Sequence, residues 1–251
     1  MTNDPRATLS RAAKSGYVAT MRGIAWGLNK TSVTDWLSRR HHRGRGYHWA
    51  SSLMAIHDID GLIALDVPWW TYDAIEVVDA FLKTRPARVF EYGAGASTIW
   101  AARRSASVTS VEHDADWYAR VLERVQGQTN ICPVDLRLAP PSNAKDAALS
   151  DPIYLSQKQD MRGLNFTSYA SEIDKANGSY DLIIIDGRAR QACLRHAANR
   201  LSPGGMIVFD NSKRARYREA ISQSGLSVNR YPGLTPSLPY SDETSILTAH
   251  T

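Results

Sequence analysis

The segment VFEYGAGAST (residues 89–98) decides the fold. Two apolar residues run into an acid and a tyrosine. Two glycines one residue apart follow, and small hydroxylated residues then open the helical stretch STIWAARR (97–104). A short apolar strand that stops at a glycine turn before a helix is the first unit of a β-α repeat. Gly93 and Gly95 allow the backbone to turn tightly and to come close to a ligand. A helix starting near Ser97 aims its free N–H groups and its positive dipole end at the same place. A tight turn without a ligand would use the same glycines, so this segment settles the architecture and leaves its use open.

The same alternation extends to both sides. Downstream, SVTSVE (107–112) reads as a second strand and DADWYARVLERVQG (114–127) as a helix. Asp114 is its N-cap, Trp117, Val121, Leu122 and Val125 share one face, and Gly127 lies at its end. ICPVDLRL (131–138) is a third strand. Residues 139–179 form a polar, Pro- and Ala-containing excursion with a short helix at 166–173, a kind of long loop that often carries function. YDLIIID (180–186) is apolar almost throughout, which indicates a sheet covered on both faces. A helix over 188–200, a Ser-Pro-Gly-Gly turn (202–205), the strand MIVFD (206–210) and the helix KRARYREAIS (213–222) follow. LSVNRY and TSILTAH make two final strands. Upstream, Ala74, Ile75, Val78, Phe81 and Leu82 fall on one helical face before Pro86. The expected fold is α/β, a doubly wound and mostly parallel sheet with helices on both faces.

Composition bounds the rest. The chain has 251 residues, 43% apolar and 22% charged, which suits a globular domain with an appendage. It contains no apolar run of the ~18 residues that a transmembrane helix needs. Cys132 and Cys193 form neither a CxxC motif nor a disulfide framework, which fits a reducing, cytoplasmic setting. The formal charge of +5 is unevenly spread. Residues 1–50 hold nine Lys/Arg against two Asp, whereas residues 51–251 hold twenty-one Lys/Arg against twenty-three Asp/Glu. The chain therefore divides into a basic N-terminal extension, 1–66, partly helical and partly irregular, and a β-α body, 67–251. Ser15–Leu28 reads as an amphipathic helix, and TDWLSRRHHRGRGYHW (34–49) is basic and aromatic. A loosely docked extension capping the site, a membrane-surface contact and a targeting presequence are the open readings of residues 1–50. A slightly acidic body argues against nucleic acid as the partner.

Open parallel sheets bind ligands at the carboxyl ends of their strands. Those places read Glu91-Tyr-Gly-Ala-Gly-Ala-Ser-Thr98, Glu112-His-Asp114, Asp186-Gly-Arg-Ala-Arg190 and Asp210-Asn-Ser-Lys-Arg214. A dinucleotide fingerprint would place a third glycine at Ser97 or Thr98. An acid at Glu91 is unfavourable beside a diphosphate and suits a cationic or amino-bearing cofactor. Glu112 is placed to accept two ribose hydroxyls, or else is a solvated acid at a helix start. Asp186, Asp210 and Asn211 either cap helices or converge as oxygen ligands for a Mg-type cation. Arg188 and Arg190 either neutralise Asp186 or grip an anionic substrate. The chain has no GxxxxGK[ST], HExxH or GxSxG motif.

Taken in order, VFEYGAGAST, VTSVEHD, YDLIIIDGRAR and LSPGGMIVFDNS resemble the motifs of class I S-adenosylmethionine-dependent methyltransferases, over residues 67–250. They look closer to bacterial members with E-Y-G-x-G-x-S-T and D-G-R-x-R, and are more distantly similar to plant polysaccharide methyltransferases. The resemblance implies a Rossmann-like, seven-stranded sheet whose last strand is antiparallel. It implies S-adenosylmethionine as cofactor, held by Glu91, Gly93, Ala94, Gly95, Ser97, Thr98, Glu112, His113 and Asp186. Asp186, Asp210 and Asn211 are the expected catalytic residues, and Arg188, Arg190 and Lys213 the substrate contacts. The same three catalytic residues look like the magnesium set of catechol-type O-methyltransferases, but the lysine of that pattern is replaced here by Ala189. The acceptor implied is a small molecule or a saccharide, methylated on oxygen or nitrogen. Residues 1–70 and 139–179 are placed to cap the site and select the acceptor. Trp69, Trp70 and Tyr72 are placed either over the cofactor or in the core. The alternatives are a nicotinamide-dependent oxidoreductase and a non-catalytic module that binds a partner through its basic tail.

Overall fold

The computed structural model describes residues 44–53, 58–143, 151–156 and 161–250. The helix expected at 15–28 lies outside them. Helices α1 (Arg45–Ser52), α2 (Ile59–Ala64) and α3 (Tyr72–Leu82) precede β1 (Arg88–Tyr92). Then come α4 (Ala96–Ala102), β2 (Ser107–Glu112), α5 (Ala115–Gln126) and β3 (Val134–Leu138). After the excursion, α6 (Thr167–Ala170) runs into a 3-10 turn at Ser171–Lys175. The chain continues through β4 (Tyr180–Ile185), α7 (Arg190–Ala198), β5 (Leu201–Asp210), α8 (Ala215–Ser222), β6 (Ser227–Leu234) and β7 (Ser241–Thr248).

The seven strands lie in the order β3-β2-β1-β4-β5-β7-β6. β1 pairs in parallel with β2 and β4, and β4 pairs in parallel with β5. β7 runs antiparallel between β5 and β6. This is the expected Rossmann-like sheet, with its reversal of strand order between β1 and β4, where such folds open a ligand crevice.

Period-2 alternation sorts the strand side chains between two cores. Phe90, Tyr92, Ile183, Ile185, Ile207 and Phe209 face the core under α6, α7 and α8. Val89, Val108, Leu182, Ile184, Val208 and Ile246 face the core that contains α3 and α4. Both faces being covered is why YDLIIID has no polar alternation. The buried stripe of α3 is Ala74, Ile75, Val78 and Leu82, and Asp114 caps α5 by accepting from the Trp117 N–H at 2.9 Å.

Two details differ from the sequence reading. The Ser-Pro-Gly-Gly stretch lies within β5, as an irregularity between the Tyr180–Leu201 and Leu182–Met206 pairs. Helix α7 begins at Arg190 because Ala189 takes a left-handed conformation, φ 45°.

The described part of the expected extension is docked on the body. Arg45 pairs with Asp73 and Glu76, each at 2.6 Å, and His48 Nδ1 lies 2.8 Å from the Tyr72 hydroxyl. Trp49 Nε1 donates to the Leu238 carbonyl at 3.0 Å. Ser52 Oγ accepts from the Ser237 N–H, and Ser237 Oγ donates to the Ser52 carbonyl, both at 2.8 Å. From α2, Ile59 and Leu62 pack with Ala94 and Ala96 of the glycine loop and Val121 of α5. Trp70 meets Trp100 edge-on at 5.6 Å in the core, so it is a core aromatic.

Candidate active site

β1 delivers Glu91 on the side facing α4, in register with Ser110 of β2. The carboxylate is fully buried and accepts from Ser97 Oγ, from Thr98 Oγ1 at 2.5 Å and from Ser110 Oγ at 2.7 Å. Burial pushes its pKa up to about 7, against the lowering effect of the three hydroxyls. Glu91 therefore braces the turn from beneath. Gly93 sits at φ +96°, where a Cβ would come within 2.8 Å of the Gly187 backbone. The β1 and β4 turns thus pack back to back, which requires glycine on the first. Gly95 differs: a Cβ there would meet only Ser97 Oγ, at 4.0 Å. The Gly95 N–H donates to Thr98 Oγ1 at 2.9 Å. The carbonyl of Ala94 accepts from Trp117 Nε1 at 2.7 Å, which ties the loop to α5.

Glu112 ends β2 and is buried. Its Oε1 accepts from the backbone N–H groups of His113 at 2.7 Å and Asp114 at 2.9 Å, and lies 2.5 Å from His113 Nδ1. The His113 ring lies 5.6 Å from Phe166 and 5.9 Å from Tyr169, residues that close the excursion over this corner.

At the ends of β4 and β5 the structure joins Asp186 and Asp210 through Arg190. Arg190 Nη2 donates to Asp186 Oδ1 at 2.8 Å, and Nη1 lies 3.5 Å from Asp210 Oδ2. The same guanidinium donates to the carbonyls of Asp186, Gly187 and Asp210. Its side chain is 6% exposed, that of Asp210 5% and that of Asp186 20%, so Asp186 is the member that reaches the surface. Burial raises both carboxyl pKa values, and each acid adds to the other's shift or hydrogen-bonds with it. Asp210 Oδ1 also accepts from Thr244 Oγ1 of β7 at 2.9 Å.

The remaining expected residues turn elsewhere. Asn211, at φ 53°, donates from Nδ2 to Asp242 at 3.0 Å. Lys213 Nζ donates to the Ser241 carbonyl at 2.5 Å and lies 3.5 Å from Asp242. Lys213 lines a groove with Ser212, Arg218, Arg230 and Glu243 beyond β5. Arg188 is half-buried, and its Nε is enclosed without a hydrogen-bond partner. Sequence reasoning missed Thr244, whose place opposite Asp210 comes only from the antiparallel register of β7. It also passed over Arg214, whose charge favours the ionised form of Asp186.

These residues do not fit a divalent cation. Asp186 and Asp210 do share a positive charge, but it is the Arg190 guanidinium, and Asn211 points to Asp242. Among the described residues no group of three His, Cys, Asp or Glu side chains could hold a metal ion. The glycine loop and Glu112 do fit a nucleoside-bearing sulfonium. The Cα of Gly95 has room beside it and a carboxylate stands at the end of β2.

Residues 90–212 match the family model of a methyltransferase domain. No curated protein matches the chain. Among solved structures, a methyltransferase-like protein from Silicibacter pomeroyi is 17% identical, with 72% of this chain and 88% of that one covered at a TM-score of 0.47. An rRNA methylase from Streptococcus thermophilus is 13% identical over 70% and 96%, at 0.46. The N-methyltransferase NodS from Bradyrhizobium japonicum is 14% identical over 70% and 94%, at 0.41. The matched segment begins inside β1, just ahead of the braced glycine turn, and ends just past Asp210, so it takes in every strand end described above. Residues 90–212 of this chain are therefore a methyltransferase domain.

Proposed function

We propose that this enzyme methylates an oxygen or nitrogen of a small-molecule or saccharide acceptor in the cytoplasm, with Asp186 as the base. One arrangement supports this reading above the others. A partly exposed carboxylate, Asp186, stands at the sheet's carboxyl edge beside the glycine turn, since Asp186 N–H donates to the Tyr92 carbonyl at 3.0 Å. When bound, the cofactor supplies an electrophilic methyl group on a sulfonium.

The protein then has to align acceptor, methyl and sulfur, an orientation effect with a ceiling of ~7–11 kcal/mol. Glu91 acts through the turn, since its oxygens are taken by Ser97, Thr98 and Ser110. Gly93, Ala94 and Gly95 would hold the cofactor's amino-acid end, Glu112 would accept the ribose hydroxyls, and His113, backed by Phe166 and Tyr169, would line the nucleoside. Asp186 takes the proton that the acceptor hydroxyl or ammonium loses, a contribution of roughly 10²–10⁴-fold in rate. Arg190 keeps Asp186 oriented and ionised, and Asp210, deeper and anchored by Thr244, is the member that carries a proton.

Calorimetry with S-adenosylhomocysteine tests the cofactor assignment. Binding at micromolar affinity is expected, weakened at least tenfold in Glu112→Ala. Absence of heat in the unaltered protein, or a nicotinamide dinucleotide binding in its place, would overturn it. Adding magnesium or a chelator should leave the affinity unchanged.

A further inference from the structure

Most arginines of the described body are matched. Arg45, Arg103, Arg104, Arg124, Arg137 and Arg195 each pair with a carboxylate at 3.0 Å or less, and Arg190 joins the two active-site acids. Arg188 is half-buried with its Nε enclosed and its guanidinium has no hydrogen-bond or carboxylate partner among the described residues, whereas Arg200, whose Nε is likewise enclosed, donates from Nη2 to the Ala176 carbonyl. A buried donor left without a partner costs about 1–3 kcal/mol, more when it belongs to a charged group.

The backbone around Arg188 is built to hold it in place. Its carbonyl accepts from Cys193 Sγ at 3.3 Å. Gly187, just before it, lies against the Tyr169 hydroxyl, where a Cβ would sit 1.9 Å away. Ala189, just after it, is held at φ 45°, a conformation that an L side chain adopts at a cost. This turn lets successive arginines diverge, so that Arg190 goes inward to Asp186 and Asp210 while Arg188 does not join them. A second unpaired cation, Arg214, follows β5, the next strand of the sheet, and its charge reaches Asp186. Both cations therefore stand on the β4–β5 side of the edge, away from Glu112 on β2.

We propose that Arg188, with Arg214, is the acceptor's anion subsite, so that the molecule methylated carries a carboxylate or a phosphate close to the atom that receives the methyl group. This rests on the assignment of Asp186 as the base of a methyltransferase. Arg188 would bind the acid bidentately, as guanidinium groups do with both anions. Bound there through the Nη groups, the anion fixes the nucleophile's position beside Asp186.

The test uses the full-length protein loaded with S-adenosylhomocysteine and titrated separately with inorganic phosphate and with malonate, in the unaltered chain, Arg188→Gln, Arg188→Lys and Arg214→Gln. Thermal melting confirms that each variant folds. The expected result is saturable binding of at least one anion, weakened tenfold or more in Arg188→Gln and severalfold in Arg214→Gln, with partial recovery in Arg188→Lys. The preferred anion tells a phosphate-bearing acceptor from a carboxylate-bearing one. The affinity for S-adenosylhomocysteine should stay within twofold in all variants. Equal anion binding by Arg188→Gln and the unaltered chain, or no anion binding by either, overturns the subsite. So does a tenfold loss of S-adenosylhomocysteine affinity in Arg188→Gln, which would assign Arg188 to the carboxylate of the cofactor's own amino-acid end. Failure of the unaltered chain to bind S-adenosylhomocysteine is a separate result, which removes the methyltransferase assignment and the subsite with it.

Discussion

At the scale of single residues, two positions of the first turn make opposite demands. Glu91 is a carboxyl group with no exposed surface, moved from its ordinary 4.5 to about 7 by burial. The folded protein therefore holds a proton there that the unfolded chain releases. The associated stability is complete below about 4.5 and is lost as pH rises through about 7. Glu91→Gln, which stays neutral, should gain on the unaltered protein by up to ~3 kcal/mol between pH 5 and pH 8.5. Melting curves at the two pH values check the sign. Gly93 has a steric demand instead. Gly93→Ala places a Cβ within 2.8 Å of the Gly187 backbone at φ +96°, and backbone cannot swing aside as a side chain can. A loss of ~2–4 kcal/mol is expected from urea unfolding. The same substitution at Gly95, where there is room, should cost far less stability and act instead on S-adenosylhomocysteine affinity.

At the scale of elements, the turn from β4 into α7 carries most of the chemistry. Four hydrogen bonds and an ion pair from Arg190 join the end of β4, the turn itself and the end of β5. Arg190→Met would leave Asp186 and Asp210 facing each other without a cation, an uncompensated buried charge worth ~3–5 kcal/mol. Protonation relieves the repulsion, so the loss should be largest at pH 8 and shrink toward pH 5. A urea series across that range measures it, and a pH-independent loss would mean that Arg190 acts through packing alone. The strand-order reversal explains why this turn adjoins the glycine loop. β4 pairs with β1 although the two are separated in the chain by β2, β3 and the excursion.

At the scale of the whole molecule, the helices ahead of the sheet are part of the body. α1 reaches the loop between β6 and β7 through Trp49 and Ser52, while α2 lies against the glycine-loop helix. Leu62 is 4% exposed within that contact. Leu62→Ala should destabilise the protein by ~2–4 kcal/mol and also weaken S-adenosylhomocysteine binding, because its cluster includes Ala94 and Ala96. Circular dichroism melting with calorimetry reads both effects. No helix among the described residues is long and apolar enough to cross a membrane.

The sequence by itself determined the β-α alternation, the sheet class and the four strand ends where acids gather. Each rests on local signals: an apolar run of period 2, a helical stripe, and a glycine or a cap at the boundary. Glu91, Glu112, Asp186 and Asp210 were all legible as strand-terminal acids. What each acid faces was not legible, because its partners come from elements far away in the chain. Glu91 turned out to be enclosed by hydroxyls from α4 and β2, and Asp210 to be held by Thr244 of β7. The three candidate metal ligands were separated by tertiary structure, which put the Arg190 guanidinium between two of them and turned Asn211 toward Asp242. Sequence spacing could place two arginines after Asp186 but could not tell the buried one from the unpaired one. Between them stands a single left-handed residue, Ala189, at φ 45°.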